Sequence, residues 1–312
     1  MKNTSSHPIL VTGASSGIGF DLACRLAGQG QPVYATARKP ADLEKLAAIE
    51  NIIPIELDVR NPQQVRAAFE TVSRRGLGLY GLVNNAGIGD LGFISTWSDE
   101  ELHDIFEVNV FGTFRVTNAF LPLLLETRGR VVLVSSQGGM ISKKYYGPYT
   151  MTKHALEAYS VALRDELSPH GVGVSIVQPG GVATSIGENS FAGLLRRFER
   201  AQPPFQEEAE AVLASFNAPP QATQAEAEES ENNRKPSPPG LVSEAIIDAL
   251  FSAAPKFRYL VGTKWEGDRV IHALIEKLLD ENDNPRHNYS LEELSALLAE
   301  NMRARSQTKT AP

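Results

Sequence analysis

The chain has 312 residues, 42% of them hydrophobic and 21% charged, and a formal net charge of −7. Such a composition suits a soluble globular protein with a sizeable core, and it excludes a chain built as a whole to grip nucleic acid or an anionic membrane. One cysteine, Cys24, leaves no intrachain disulfide and no cysteine-based zinc cluster, which fits a reducing, cytoplasmic setting.

Residues 1–8 are polar and lack the apolar stretch of a signal peptide. Residues 9–12 form a short apolar run that ends in glycine-rich sequence. After Gly17 the spacing of Ile18, Leu22 and Leu26 turns helical. A strand is predicted over 32–37, a helix over 41–49 and a strand over 53–57. Asn61 as cap and Pro62 at the first position open a helix over 62–74. A strand follows over 80–84. Ser98 with Glu101 reads as a capping box opening helix to about residue 125. Then come a strand over 130–135, a long helix over 148–168 and a strand over 172–177.

These strands are continuous apolar runs, so they are buried on both faces. That predicts an α/β fold, a doubly wound parallel sheet covered by helices, with ligands at the carboxyl ends of the strands. Beyond residue 186 the order weakens. A helix over 191–200 precedes a stretch, 203–239, rich in Pro, Glu, Ala and Gln, read as a flexible insertion that is mobile or partly helical. Helix over 241–252, strand over 257–261 and helix over 268–280 follow. Ser290 and Glu293 open a last helix, and 301–312 is expected to fray. The whole chain, 1–312, reads as one domain with a C-terminal helical extension. The longest apolar runs, such as 119–125, are too short to span a bilayer, so no membrane span is expected. His7, His103, His154, His170, His272 and His287 show no metal-ligand spacing, and no metal site is expected.

Four groups of residues carry chemistry. The first is the turn Thr12-Gly13-Ala14-Ser15-Ser16-Gly17-Ile18-Gly19, between a strand and a helix. Its glycines let the backbone approach a pyrophosphate at the positive end of the helix, though a tight strand-to-helix turn would look the same. The second, Asn84-Asn85-Ala86-Gly87, ties a loop by amide hydrogen bonds, or is an ordinary Asn-Gly turn. Third, Ser135 and Ser136 end a strand, where either hydroxyl can meet a substrate oxygen or simply terminate the strand. The fourth pairs Tyr149 with Lys153, four apart on one helix face. An ammonium beside a phenol favours the phenolate; alone, such a pair is also common on any surface helix. Tyr145 and Tyr146 have no lysine four residues on.

Taken in order, these groups resemble the classical short-chain dehydrogenase/reductase family over residues 9 to about 185. The resemblance implies a Rossmann-like single domain, an oxidoreductase and a nicotinamide cofactor. It implies that Tyr149 is the general acid/base and that Lys153 lowers its pKa and bonds the nicotinamide ribose. The family's catalytic Ser precedes x-x-Gly and lies thirteen positions before the Tyr, which selects Ser136, with Gly139 after it. Asn109 matches the family's Asn that holds a water for proton relay; a buried Asn that bends its helix is a compatible role. Gly13, Ser15, Ser16, Gly17, Ile18, Gly19, Asn85, Ala86 and Gly87 would line the cofactor. Asp58 and Val59 match the segment beside the adenine, and Pro179, Gly180, Val182 and Thr184 the segment holding the carboxamide.

NAD enzymes place an acid after the second strand to bond the ribose 2′-hydroxyl. This chain reads Thr36-Ala37-Arg38-Lys39 there, and Arg38 suits a 2′-phosphate, so NADP(H) is favoured over NAD(H). Many NADP members also carry a basic residue where this chain has Ser16. Met140, Ile141, Tyr145, Tyr146, Phe191 and Leu194 suggest an apolar carbonyl or alcohol substrate, or core packing. The stretch Val-Tyr-Ala-Thr-Ala-Arg and the extended C-terminus look like the steroid/retinol dehydrogenase-like branch. The resemblance also implies a homodimer or homotetramer, built on the helices of Asn109 and Tyr149. Two other readings stay open: an NAD-dependent alcohol dehydrogenase, and a cofactor-binding sensor without turnover.

Overall fold

A computed structural model describes residues 8–184, 186–217 and 236–310. Two compact units divide the chain, Met1–Gly267 and Asp268–Pro312, so the expected C-terminal extension is a compact unit of its own.

The first unit alternates strand and helix: β1 (Ile9–Val11), α1 (Gly17–Gly28), β2 (Val33–Ala37), α2 (Pro40–Ala47), β3 (Ile52–Glu56), α3 (Pro62–Arg74), β4 (Gly81–Asn84), α4 (Asp99–Phe106), α5 (Thr113–Thr127), β5 (Arg130–Val134), α6 (Gly147–Leu167), β6 (Gly173–Pro179), α7 (Ile186–Glu199), α8 (Gln206–Asn217), α9 (Pro239–Phe251), β7 (Arg258–Val261) and the start of α10 (Lys264–Asn282). All seven strands are parallel, in the order β3-β2-β1-β4-β5-β6-β7. The connections reverse direction between β1 and β4, where sheets of this kind open a crevice for ligands.

Strand periodicity explains how one apolar run serves two cores. Ile9 and Val11 point to one face of the sheet, with Leu22 and Leu26 of α1 and Val242, Ile246 and Leu250 of α9. Leu10 points to the other, with Val65 and Val72 of α3, Val116, Phe120 and Leu124 of α5, and Leu163 and Leu167 of α6. The helical stretch Asp99–Thr127 is long and apolar enough to cross a bilayer by length and composition, but half of its most apolar window is buried inside the protein.

Local signals set the helix starts. The Asn61 side chain accepts the Gln63 and Gln64 N–H groups, and Ser98 and Glu101 complete a reciprocal capping box. Between α4 and α5 the helix widens to π-type turns over Glu107–Gly112.

The stretch read as a flexible insertion begins with helix. Ala209 of α8 is buried, and Val212 and Leu213 pack with it against Phe93, Leu194 and Phe198. Residues 218–235 lie outside the described residues. At 237 the chain is back in register, where Ser237 bridges Val182 in parallel.

In the second unit, α10 continues to Asn282 and α11 spans Leu291–Thr310. The Asn282 side chain holds both backbone groups of Tyr289, and Ser290 and Glu293 form the expected capping box. Helix runs on past Asn301, where fraying was expected, through Met302, Arg303, Ala304 and Arg305, all good helix formers. Residues 311–312 lie outside the described ones.

Candidate active site

The cofactor turn is shaped by close backbone approach. Gly13 and Gly17 have φ of +66° and +57°, the left-handed region that glycine enters without cost. A Cβ at Gly13 would stand 2.8 Å from the Ala86 backbone, and one at Gly19 would stand 2.4 Å from the Asn85 amide. Ser16 is the N-cap of α1 but makes no side-chain cap bond. Ser15, Ser16 and Ile18 therefore stand at an open helix N-terminus, the usual seat of a phosphate.

Asn85 fastens this turn to β4. Its Nδ2 donates to the carbonyls of Thr12 and Gly13 at 2.9 and 3.0 Å. Thr12, treated in the sequence only as part of the motif, is the hub: its Oγ1 accepts the N–H groups of Asn85 and Ala86, both at 3.0 Å. At the far side of the crevice, a Cβ at Gly17 would meet the Thr184 side chain at 3.0 Å. Thus the pyrophosphate turn and the end of the 179–184 segment are neighbours.

The Asp58–Val59 segment, expected beside the adenine, is electrostatically set. Arg38 follows β2 and leaves over half its side chain exposed, with Nη1 3.9 Å from the Asp58 carboxylate. Arg60 forks onto Asp58 at 2.8–3.2 Å and also reaches Asp104 at 3.0 Å. That hydrogen bonding by Arg60, against a smaller opposing effect of burial, holds the Asp58 carboxyl below its ordinary value. Val59 is buried, with its carbonyl accepting from Arg115 at 2.6 Å.

The reacting groups gather at the carboxyl end of β5. Ser136 takes the Gly138 N–H at 3.0 Å and donates to the Pro179 carbonyl at 3.4 Å; its Oγ and the Tyr149 ring both lie against Gly138. Ser135 is buried with no hydrogen-bond partner for its hydroxyl, under Gly139. Tyr149 sits in the first turn of α6, and Lys153, one turn on, is buried and donates to the Val134 carbonyl at 3.1 Å. Gly87 keeps this corner open, since a Cβ there would lie 3.3 Å from Asn109 Oδ1 and 3.7 Å from Lys153 Nζ.

Tyr149 keeps part of its surface open, yet the protein around the phenol lifts its pKa above the ordinary value. The neighbouring Ser136 hydroxyl opposes that rise, and the Tyr146 phenol adds to it. This direction is opposite to the lowering expected from Lys153. Lys153 Nζ stands 5.7 Å from the Tyr149 ring centre, and burial brings its own pKa down to about 8 despite the opposing Glu157.

Asn109, on the π-type turns, spends its side chain on protein. Oδ1 accepts the Ile88 N–H at 2.8 Å, while Nδ2 donates to the Ile88 carbonyl at 2.9 Å and to Thr152 at 3.0 Å. It thereby couples the loop after β4 to α6, in keeping with a buried, helix-distorting Asn.

Of the expected pocket residues, Tyr145 and Leu194 pack into the cluster of Phe93 and Phe198. Phe191 instead packs edge-on to Phe216, and both are partly exposed. The wall is tied down by Arg197, unremarked in the sequence. Its guanidinium meets Asp90 at 2.5 Å and Glu101 at 3.4 Å, and lies 3.8 Å over Trp97.

These residues fit a nicotinamide dinucleotide: a cradle that side chains would fill, an open helix N-terminus, and a hydroxyl pair with a buried lysine at its far end. Comparison with known proteins agrees. Residues 7–194 match the family model described as short chain dehydrogenase. Mouse mitochondrial D-beta-hydroxybutyrate dehydrogenase is 41% identical over 195 residues, 58% of this chain and 57% of that protein. The chain thus spans a little over half the length of this relative. Uncharacterized oxidoreductase YbbO of Escherichia coli is 40% identical over 183 residues, covering 58% of this chain and 68% of the relative. Among solved structures, a Streptomyces avermitilis short-chain dehydrogenase superposes with TM-score 0.72 at 30% identity, covering 88% of this chain and 95% of the other. A variant actinorhodin polyketide ketoreductase, solved with NADPH, gives 0.66 at 27% identity, covering 85% and 99%.

Proposed function

The chain belongs to the short-chain dehydrogenase family and is an oxidoreductase with a nicotinamide cofactor; from that premise we propose that it is an NADP(H)-dependent enzyme interconverting a carbonyl and an alcohol on an apolar substrate. The carrying observation is that Ser136 Oγ and the Tyr149 ring flank Gly138, with Lys153 buried one helical turn on and its Nζ close to Gly87.

The cofactor supplies or accepts the hydride. This chain's residues handle the oxygen and its proton. Ser136 and Tyr149 hydrogen-bond the substrate oxygen and so polarise the carbonyl for hydride arrival at its carbon. The raised pKa of Tyr149 keeps the phenol protonated at neutral pH, the form that donates a proton to the oxygen as it becomes an alcohol. Lys153, mostly an ammonium below pH 8, offsets the charge then left on the phenol. Asn109 holds α6 in register with the loop after β4, and its family role of carrying a relay water remains part of this proposal.

Arg38 supports NADP(H), because it stands exposed where an acid would select NAD(H) and its fork matches a phosphate. The apolar substrate rests on the composition around Met140, Ile141 and Phe191, since Tyr145 and Leu194 themselves pack with Phe93 in a core cluster. The steroid- and retinol-type branch is in keeping with this: mouse estradiol 17-beta-dehydrogenase 2 is 37% identical over 185 residues. Exposed Phe111, Phe114 and Met151, on and beside the helices of Asn109 and Tyr149, support a homo-oligomer. The single Cys24 suits a cytoplasmic setting.

Initial rates of NADPH and NADH oxidation against a panel of ketones and aldehydes test the proposal. Turnover of apolar carbonyls with NADPH preferred is expected; binding without turnover would point to a sensor instead.

A further inference from the structure

Residues 179–184 owe their position to a carboxylate on another element. Glu266, in the first turn of α10, is 9% exposed. Its Oε1 accepts the Gly181 N–H at 2.6 Å. Its Oε2 accepts the Thr263 N–H at 2.9 Å, and its own N–H donates to Thr263 Oγ1 at 3.3 Å. Thr263 and Glu266 therefore form a capping box. A capping box needs only one of the two oxygens and no burial. Here the second oxygen reaches back 85 residues to Gly181.

Two glycines make room for this carboxylate. A Cβ at Gly180 or at Gly262 would stand 2.4 Å from it. Besides the Ser136 hydroxyl on the Pro179 carbonyl, three further ties of the segment are backbone to backbone. Gly180 N–H donates to Val261 at 2.8 Å, Ser237 N–H to the Gly181 carbonyl at 2.8 Å, and Ala183 N–H to Ser237 at 3.0 Å. Between them they fix the chain on either side of Val182 and leave Thr184 against Gly17.

We propose that Glu266 is a positioning residue for the nicotinamide end of the cofactor, acting through the Gly181 N–H to set Val182 and Thr184. The proposal rests on the reading of 179–184 as the segment that holds the carboxamide. It touches neither the glycine turn nor Arg38, so it predicts a loss confined to half of the cofactor.

The test is calorimetric binding of NADPH and NADH, and of the adenine halves 2′,5′-ADP and 5′-AMP, to wild type, Glu266→Ala and Glu266→Gln. Circular dichroism checks folding, and hydrogen exchange follows the peptide over 178–184. In Glu266→Ala the full cofactor is expected to bind about tenfold more weakly, as for a buried N–H left unpaired. The adenine half should bind within about twofold of wild type, and exchange at 178–184 should quicken. Glu266→Gln keeps one acceptor and should fall between. Equal loss of both ligands, or unchanged NADPH affinity with unchanged exchange in either folded variant, overturns the role. Wild type that binds the adenine halves but gains nothing from the nicotinamide half overturns the reading beneath it, and the role with it.

Discussion

The Ser136 hydroxyl and the Tyr149 ring flank Gly138 at the loop from β5 to α6: a Cβ there would stand 3.4 Å from both Ser136 Oγ and the Tyr149 ring. Two neighbouring hydroxyls are suited to an oxygen that gains negative charge. Ser136→Ala removes one of them and should lower kcat about 10²–10³-fold, with KM for NADPH little changed. Steady-state kinetics with the best carbonyl substrate checks this; a near-normal kcat would remove Ser136 from the site.

Lys153 sets a pH limit. Burial lowers its pKa from 10.5 to about 8. The ammonium is the useful form, so kcat/KM for carbonyl reduction should fall as pH rises through about 8. Lys153→Arg stays charged throughout and should lose that limb of the profile, whatever activity remains. Stability moves the other way. Between about 8 and 10.5 the unfolded lysine keeps a proton that the folded one has shed, so its contribution to stability rises with pH over that window. Denaturant melts of wild type and Lys153→Arg at pH 7 and 9.5 measure the difference.

Arg38 is expected to distinguish the two cofactors. Arg38→Ala should weaken NADPH binding about tenfold to a hundredfold, the range for hydrogen bonds to a charged group, and leave NADH within about twofold. Fluorescence titration with both cofactors decides it. Equal effects on the two would assign Arg38 to the surface ion pair with Asp58 alone.

Arg197 fastens α7 to the loop after β4 through Asp90, Glu101 and Trp97. Arg197→Ala leaves Asp90 without this partner in a half-buried position, at a cost of about 3 kcal/mol. A lower Tm, faster proteolysis within α7 and a higher KM for the carbonyl substrate are expected. An unchanged Tm and KM would mean the wall holds without the clasp.

Much of the site was legible because its chemistry is local in sequence. Gly13 and Gly17 stand in the tight strand-to-helix turn read from the sequence, and Tyr149 and Lys153 fall on one helix because they are four apart. Long-range roles were not legible. Glu266 reaches Gly181 across 85 residues, and Arg197 meets Leu91 across 106. In the sequence both look like solvated helix charges. The π-type turns around Asn109 were legible only as an Asn that bends its helix, since apolar spacing barely changes over six residues. The polar composition of 203–239 hid the short apolar face of Ala209, Val212 and Leu213 that lets α8 pack. The direction of the Tyr149 pKa was missed for a related reason, because a pair seen in sequence shows its charges but not its burial.

The central claim is that Tyr149 delivers the proton while hydride moves between cofactor and carbonyl carbon. Single-turnover reduction of the best ketone with NADPH deuterated at nicotinamide C4, in wild type and in Tyr149→Phe, tests it most directly. Deuterium on the carbinol carbon in wild type is predicted, with turnover about 10²–10⁴-fold slower in Tyr149→Phe at comparable NADPH affinity. Label transfer at the wild-type rate in Tyr149→Phe would contradict it.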